Sequence, residues 1–210
     1  MDWVSFWDGA HAIYVNPRHK QVHYAALAAD LMAYVPGPTA RVMDYGCGEA
    51  LAADQLAAAC GRLALCEAAP GVREKLTARF GATSKIDVLS PEAAAALPAG
   101  CQDLVIANSL VQYLSRDQFR DLLTLWHRLL APGGHLLVAD IIPPNVSAVR
   151  DAAALLGFAA REGFLAAAVI GLARTAVSPY RKLRAELGLG GAEHYPAGGW
   201  VRCSAKAQTR

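Results

Sequence analysis

The sequence predicts an α/β protein, a three-layer sandwich built around a doubly wound, mostly parallel sheet. Three observations carry that reading. Short apolar runs alternate with helical patterns along the chain, which is the signature of βαβ units. The runs are nearly continuous rather than alternating, as expected for parallel strands covered on both faces. The length of 210 residues, 54% hydrophobic and 18% charged, suits one domain with one large core.

The elements follow in order. Asn16-Pro17 reads as an N-cap and first helical position, opening a helix to about Val35 that Pro36-Gly37-Pro38 stops. Arg41–Tyr45 is a strand ending at glycines, and a helix from Glu49 to Ala59 follows. Arg62–Glu67 is a second strand. Pro70 opens a helix to Phe80, ended by Gly81. Thr83–Val88 is a third strand, and Ser90-Pro91-Glu92 starts a short alanine-rich helix. Asp103–Asn108 is a fourth strand. Ser115 and Gln118 have capping-box spacing, and the helix after them puts Phe119, Leu122, Leu123, Trp126, Leu129 and Leu130 on one face. Pro132-Gly133-Gly134 ends it, and His135–Ile142 is a fifth strand.

Composition excludes several classes. A net charge of +2 gives no field for nucleic acid, and the hydrophobicity excludes a disordered chain. Five cysteines (Cys47, Cys60, Cys66, Cys101, Cys203) form no CxxC pair, and no histidine cluster has zinc spacing. Reduced, mostly buried thiols in a cytoplasmic protein without a bound metal are expected. The N-terminus has no signal-peptide pattern. The mean hydropathy of +0.24 is high. Its main source, Ala152–Ala173, is interrupted by Arg161 and Glu162, short of the roughly 20 apolar residues of a membrane span.

The segment Val42-Met43-Asp44-Tyr45-Gly46-Cys47-Gly48-Glu49-Ala50 carries the chemistry. Glycines between a strand and a helix let a ligand approach the backbone, and the helix start offers free N–H groups. Glu67, at the end of the next strand, is where an acid meets the two ribose hydroxyls of a nucleoside in a doubly wound sheet. The dinucleotide fingerprint G-x-G-x-x-G fails, because Leu51 stands at its third glycine.

The pattern instead resembles motif I of the class I S-adenosylmethionine (SAM)-dependent methyltransferases, D-x-G-x-G-x-G, with Ala50 for the last glycine. Glu67 is similar to that family's ribose-binding acid, and Asp87-Val88 to its acid-plus-apolar pair beside adenine. Gln102–Ser109 looks like the fourth-strand motif. Leu129–Asp140 resembles the LkPGG turn and fifth strand. These motifs cover Arg41–Ile142 in the family's order. The resemblance implies a Rossmann-like fold with SAM as cofactor and S-adenosylhomocysteine (SAH) as product. Cofactor contacts are implied at Asp44, Gly46, Cys47, Gly48, Glu67, Ala68, Asp87, Val88, Asn108, Ser109, Gln112 and Tyr14. The alternative for Asp87 is a plain turn near Ser90.

Asn108 is not followed by the Pro-Pro-aromatic motif of base methyltransferases, which argues against a nucleic-acid substrate. Gln112 and Tyr113 resemble residues lining the methionine or the acceptor, although Tyr113 reads equally as core. In the family, an N-terminal segment often lies over the SAM site as a lid. Here it holds Trp3, Phe6, Trp7, His11, Tyr14, His19, His23 and Tyr24. No constellation is a clear base; His23, Tyr24 and Tyr113 are the candidates. Residues after the fifth strand commonly shape the acceptor pocket in this family, so the apolar stretch there implies a lipophilic small-molecule acceptor, a homodimer contact or a peripheral membrane contact.

One domain over 1–210 is therefore expected: a helical lid (1–38), a SAM-binding core (41–142), a helical acceptor-side segment (146–187) and an irregular tail (188–210). The family's last two strands are expected to be shortened or absent, with a compressed hairpin over Ala192–Tyr195 and Trp200–Ala205 as the alternative. The function expected is methyl transfer from SAM to a small, lipophilic acceptor. The alternatives are a non-catalytic SAM-binding sensor or assembly partner and, with less support, a nicotinamide dehydrogenase.

Overall fold

A computed structural model describes residues 3–9, 14, 16–141, 148–175 and 201–204. Its sheet has the order β3-β2-β1-β4-β5-β6. The strands are β1 (Arg41–Tyr45), β2 (Arg62–Cys66), β3 (Ile86–Leu89), β4 (Gln102–Asn108), β5 (Leu130–Ala139) and β6 (Val201–Ser204). The first five run parallel; β6 is antiparallel to β5. The chain steps outward from β1 to β2 and β3, then returns to place β4 on β1's other side. That reversal is the switch point where a doubly wound sheet opens a crevice at its strands' carboxyl ends.

Alternation along the strands divides the core into two layers. Val42, Leu63, Leu65, Leu104 and Ile106 pack with Leu31 of α2 (Pro17–Met32), Leu56 of α3 (Ala53–Ala59), and Leu76 and Phe80 of α4 (Pro70–Phe80). Met43, Ala64, Cys66, Val105 and Ala107 pack with Ala94 of α5 (Pro91–Ala95), and with Trp126 and Leu129 of α6 (Arg116–Leu129). The three-layer sandwich read from the sequence is thus the fold.

Helix starts fall where capping chemistry puts them. Asn16 Oδ1 accepts from the His19 N–H at 2.7 Å, and Ser115 and Gln118 form a capping box at α6. Five elements differ from expectation: α2 ends at Met32 rather than near Val35, β3 spans Ile86–Leu89 rather than about Thr83–Val88, and three others shift for identifiable reasons. The helix expected from Glu49 begins at Ala53, because Ala50 adopts φ +43°, a left-handed turn no α-helix can include. On α6, Leu123 points outward, 36% exposed, while Phe119, Leu122 and Leu125 pack on the core. β5 begins at Leu130 rather than His135. The register slips from Gln102↔Leu130 to Leu104↔His135, and Pro132-Gly133-Gly134 fill the irregularity. Gly133 takes φ +79°, and a Cβ on Gly134 would lie 2.9 Å from the Ala131 carbonyl oxygen.

Ala152–Ala173 is not one helix. Gly163, at φ +78°, breaks it into α7 (Ala148–Glu162) and α8 (Leu165–Thr175), which pack through Ala159, Phe164 and Ala168. No described helix is long and apolar enough to cross a membrane. In the tail, β6 lies within the expected arm Trp200–Ala205 and pairs with β5 from His135↔Ser204 to Val138↔Val201. The other arm, Ala192–Tyr195, and His11 of the lid lie outside the described residues.

Candidate active site

A cavity of about 420 Å³ opens at the switch point, lined by the β1 loop, the ends of β2, β4 and β5, and the two N-terminal helices. Its floor is the glycine loop. The Gly46 and Cys47 N–H groups donate to the Cys66 carbonyl at 2.8 and 3.2 Å, turning the chain back over β2. Gly46 takes φ +79°, and a Cβ there would press on the Leu110 side chain at 3.0 Å; only glycine fits both demands.

Glu67 is buried, and its carboxylate bridges the loop and the next helix. One oxygen accepts from the Gly48 N–H at 2.8 Å and the other from the Ala69 N–H at 2.8 Å. Each oxygen keeps a lone pair for a further donor. Asp44 is buried nearby. Desolvation, with the Glu67 charge adding to it, pushes its carboxyl up to about 7. Burial, then the charges of Asp44 and Glu67, also hold the Cys47 thiol well above its ordinary value, so it is no nucleophile.

Above β4 and β5 the wall is different. Ser109 and Asp140, the residues just beyond these strands, both take φ +52°, and the Ser109 hydroxyl donates to the Asp140 carboxylate. Two adjacent non-glycine residues in the left-handed region are strained, and such strain clusters at functional sites. The Asn108 amide donates to Ser109 Oγ at 3.1 Å, leaving Asn108 Oδ1 buried without a partner. Gln112 Oε1 is in the same condition. Both residues line the cavity, and two buried acceptors without partners there call for a ligand that carries N–H or O–H groups.

The roof is aromatic. In α1 (Trp3–Asp8), Trp3 stacks on Tyr113 at 6.0 Å and Trp7 meets the same ring edge-on at 5.7 Å. Asp8 Oδ1 accepts from the Gly71 N–H at 2.6 Å and the Val72 N–H at 3.3 Å, tying α1 to the start of α4. Tyr14 gathers His19, His23 and Tyr24 within 5.3–5.9 Å. Burial holds both histidines below their ordinary range. The neighbouring Asp140 charge partly offsets this at His23, whereas the His23 charge adds to it at His19. Burial, and then Tyr14, push the Tyr24 hydroxyl far up.

Of the residues predicted to touch cofactor, Asp44, Gly46, Cys47, Gly48, Glu67, Asn108, Ser109, Gln112 and Tyr14 line this one cavity, as do His23, Tyr24 and Tyr113. Ala68, Asp87 and Val88 do not line it. The Ala68 carbonyl is held by Arg73 at 2.6 Å. Asp87 sits mid-strand opposite Ala64 and forms a two-pronged pair with Arg62. The part of β3 level with Glu67 is Leu89, whose carbonyl accepts the Glu67 N–H at 3.1 Å. Asp140 is one of the charged lining residues the sequence reading did not single out, with Lys20, Glu49 and Lys75. The available signal was an acid just past the carboxyl end of a parallel strand. No group of three His, Cys, Asp or Glu that could hold a metal occurs among the described residues.

Residues 42–134 match a protein-family model described as a methyltransferase domain. Solved structures share the fold. Phosphoethanolamine N-methyltransferase 1 of Haemonchus contortus, in complex with phosphoethanolamine and SAH, is 23% identical with a TM-score of 0.56, over 68% of this chain and 33% of that one. N-methyltransferase NodS of Bradyrhizobium japonicum, in complex with SAH, is 22% identical with a TM-score of 0.52, over 66% of this chain and 71% of that one. YcgJ of Bacillus subtilis is 15% identical with a TM-score of 0.50, over 63% and 58%. This chain thus spans about a third of the first relative. No curated protein sequence matches it. The matched stretch, which holds the site's loop and acid, is similar to the class I SAM-dependent methyltransferases. SAM is the cofactor of that class, and the residues present fit it: an open glycine turn, a buried acid at the end of β2 and two unpartnered buried acceptors.

Proposed function

We propose that this protein transfers a methyl group from SAM to a small, lipophilic acceptor held above β4 and β5. The observation that carries the reading is a single cavity in which the Gly46–Gly48 loop and Glu67 meet a chamber walled by Trp3, Trp7, Tyr14 and Tyr113. SAM, when bound, supplies an electrophilic methyl group on a sulfonium, which an acceptor takes by in-line displacement.

The chain's own residues bind, orient and dehydrate. The free lone pairs of Glu67 accept the ribose hydroxyls, and the orphaned amide oxygens of Asn108 and Gln112 accept from the ligand's ammonium group. The tryptophans of α1 exclude water and confine the acceptor, so positioning supplies most of the catalysis. Among the three candidate bases, Tyr24 stays protonated and Tyr113 is wedged against two tryptophans. His23, uncharged near neutral pH and sharing the wall with Asp140, is the group suited to take a proton from a hydroxyl acceptor. The test is calorimetric titration of SAH, then SAH formation from SAM with a panel of apolar alcohols, amines and thiols. Micromolar SAH affinity with turnover on at least one acceptor is expected. SAH binding without turnover on any of them would favour a sensor, and no binding would end the reading.

A further inference from the structure

We propose that the outer face of α8 docks on the anionic surface of a lipid bilayer. This goes beyond the methyl-transfer reading and does not rest on it. Helix α8 packs on α7 through Ala168, with Phe164 just before it. Its other side presents Leu165, Ala166, Val169, Ile170 and Ala173 to solvent, and every exposed residue before Arg174 is apolar. Leu165, Val169 and Ile170 are 45%, 54% and 54% exposed, three of the five large hydrophobic side chains most exposed in the described chain. Spacing of i, i+1, i+4, i+5 and i+8 makes one continuous stripe. An ordinary solvated helix carries charge on that side.

Length and charge select the occupant. Eleven residues rise roughly 16 Å, about half a bilayer core, so the helix lies on a membrane rather than through it. Arg161 and Arg174, both exposed, bracket the stripe, and the sequence beyond adds Arg181, Lys182 and Arg184. Each basic side chain near an anionic leaflet raises partitioning roughly fivefold. A second copy fits worse. A two-fold pairing of the stripe with itself brings arginine against arginine. Five side chains, two of them alanine, also fall far short of the roughly 800 Å² per partner of a stable dimer. The buried side of the same helical pair reaches the site, since Phe158 and Phe164 pack on His19 of the cavity wall.

The experiment is co-sedimentation of the full chain with vesicles of phosphatidylcholine alone or with roughly a third phosphatidylglycerol. Light scattering is run in parallel, and melting temperature serves as the folding control. Binding to the anionic vesicles is expected, falling about tenfold or more in Val169→Asp/Ile170→Asp and in Arg161→Glu/Arg174→Glu. The proposal is overturned if the wild type stays in the supernatant or if both folded variants bind as it does. A wild-type dimer that Val169→Asp/Ile170→Asp turns into a monomer, without vesicle binding, overturns it in favour of a second copy.

Discussion

The two ends of the cavity are built in opposite ways. The end under Glu67 is local: Asp44 to Gly48 and Cys66 to Ala69 are two short segments on neighbouring strands, joined by hydrogen bonds from the Gly46, Cys47 and Gly48 N–H groups. The end above β4 and β5 is assembled from α1, Tyr14, α2, Asn108 to Tyr113 and Asp140, segments scattered over most of the chain. The first end is polar and pinned by backbone donors, as suits a ligand that never changes. The second is aromatic and held by side-chain packing, which can be re-cut for a different acceptor without disturbing the first. On the proposed reading, cofactor chemistry resides at one end and acceptor specificity at the other.

The largest expected effect tests the pinned end. Glu67→Ala removes the ribose-side acceptor and leaves the Gly48 and Ala69 N–H groups without their partner. We expect SAH affinity to fall at least about a hundredfold, or about 3 kcal/mol, by calorimetry. Glu67→Gln, which keeps one acceptor, is expected to lose roughly tenfold. If Glu67→Ala binds SAH like the wild type, the division between the two ends fails.

A pH series tests the same end without ligand. The carboxyl of Asp44 titrates near 3.8 when unfolded and is raised to about 7 in the fold by burial, with Glu67 adding to it. The folded state therefore binds the extra proton between these values, so stability falls as pH rises from about 4 to about 7, and the penalty is complete above about 7. Asp44→Asn cannot ionise and should lose that slope, gaining about 2 kcal/mol relative to wild type at about pH 8 and little at about pH 4. Urea melts at the two pH values check it; equal differences at both would remove Asp44 as the cause.

The same contrast explains what was legible in the sequence. Strand–glycine–helix punctuation and a nearby acid are contiguous signals, so Asp44, Gly46, Gly48 and Glu67 could be read directly. Asn108 came with the fourth-strand motif, and Gln112 with the segment that follows it. Asp140 ends the fifth-strand motif but is not singled out by it; its place beside His23 of α2 shows only in three dimensions. Asp87 illustrates the opposite failure. Its residue type fits an adenine-side acid, but the strand register, invisible in one sequence, places it mid-strand opposite Ala64. The break at Gly163 was masked because Arg161 and Glu162 already interrupted the apolar run, so the glycine beside them was not read as a helix end.

The scattered end has its own weak fastening, which gives a smaller prediction. Asp8 caps α4 from 63 residues away through the Gly71 N–H. Asp8→Ala should cost about 1 kcal/mol, or a fall in melting temperature of roughly 2–4 °C. It should loosen α1 while changing SAH affinity less than Glu67→Ala does. Limited proteolysis near Trp7 reports the loosening. An affinity loss as large as that of Glu67→Ala would mean that the roof and the pinned end are one unit.

The smallest effect lies inside the glycine loop itself. Ala50 stands where the motif carries its last glycine, and it adopts φ +43° all the same. The backbone has kept the conformation that glycine serves while the sequence has not. A left-handed alanine costs about 1–2 kcal/mol, and glycine adds about 0.5–1 kcal/mol of unfolded-state entropy. Ala50→Gly should therefore stabilise by about 0.5 kcal/mol, measurable as a small rise in the urea midpoint. The methyl group of Ala50 is also 6% exposed and packs in the same core layer as Leu56. A destabilised Ala50→Gly would mean that this contact outweighs the strain, and that the loop was repacked around alanine rather than merely tolerating it.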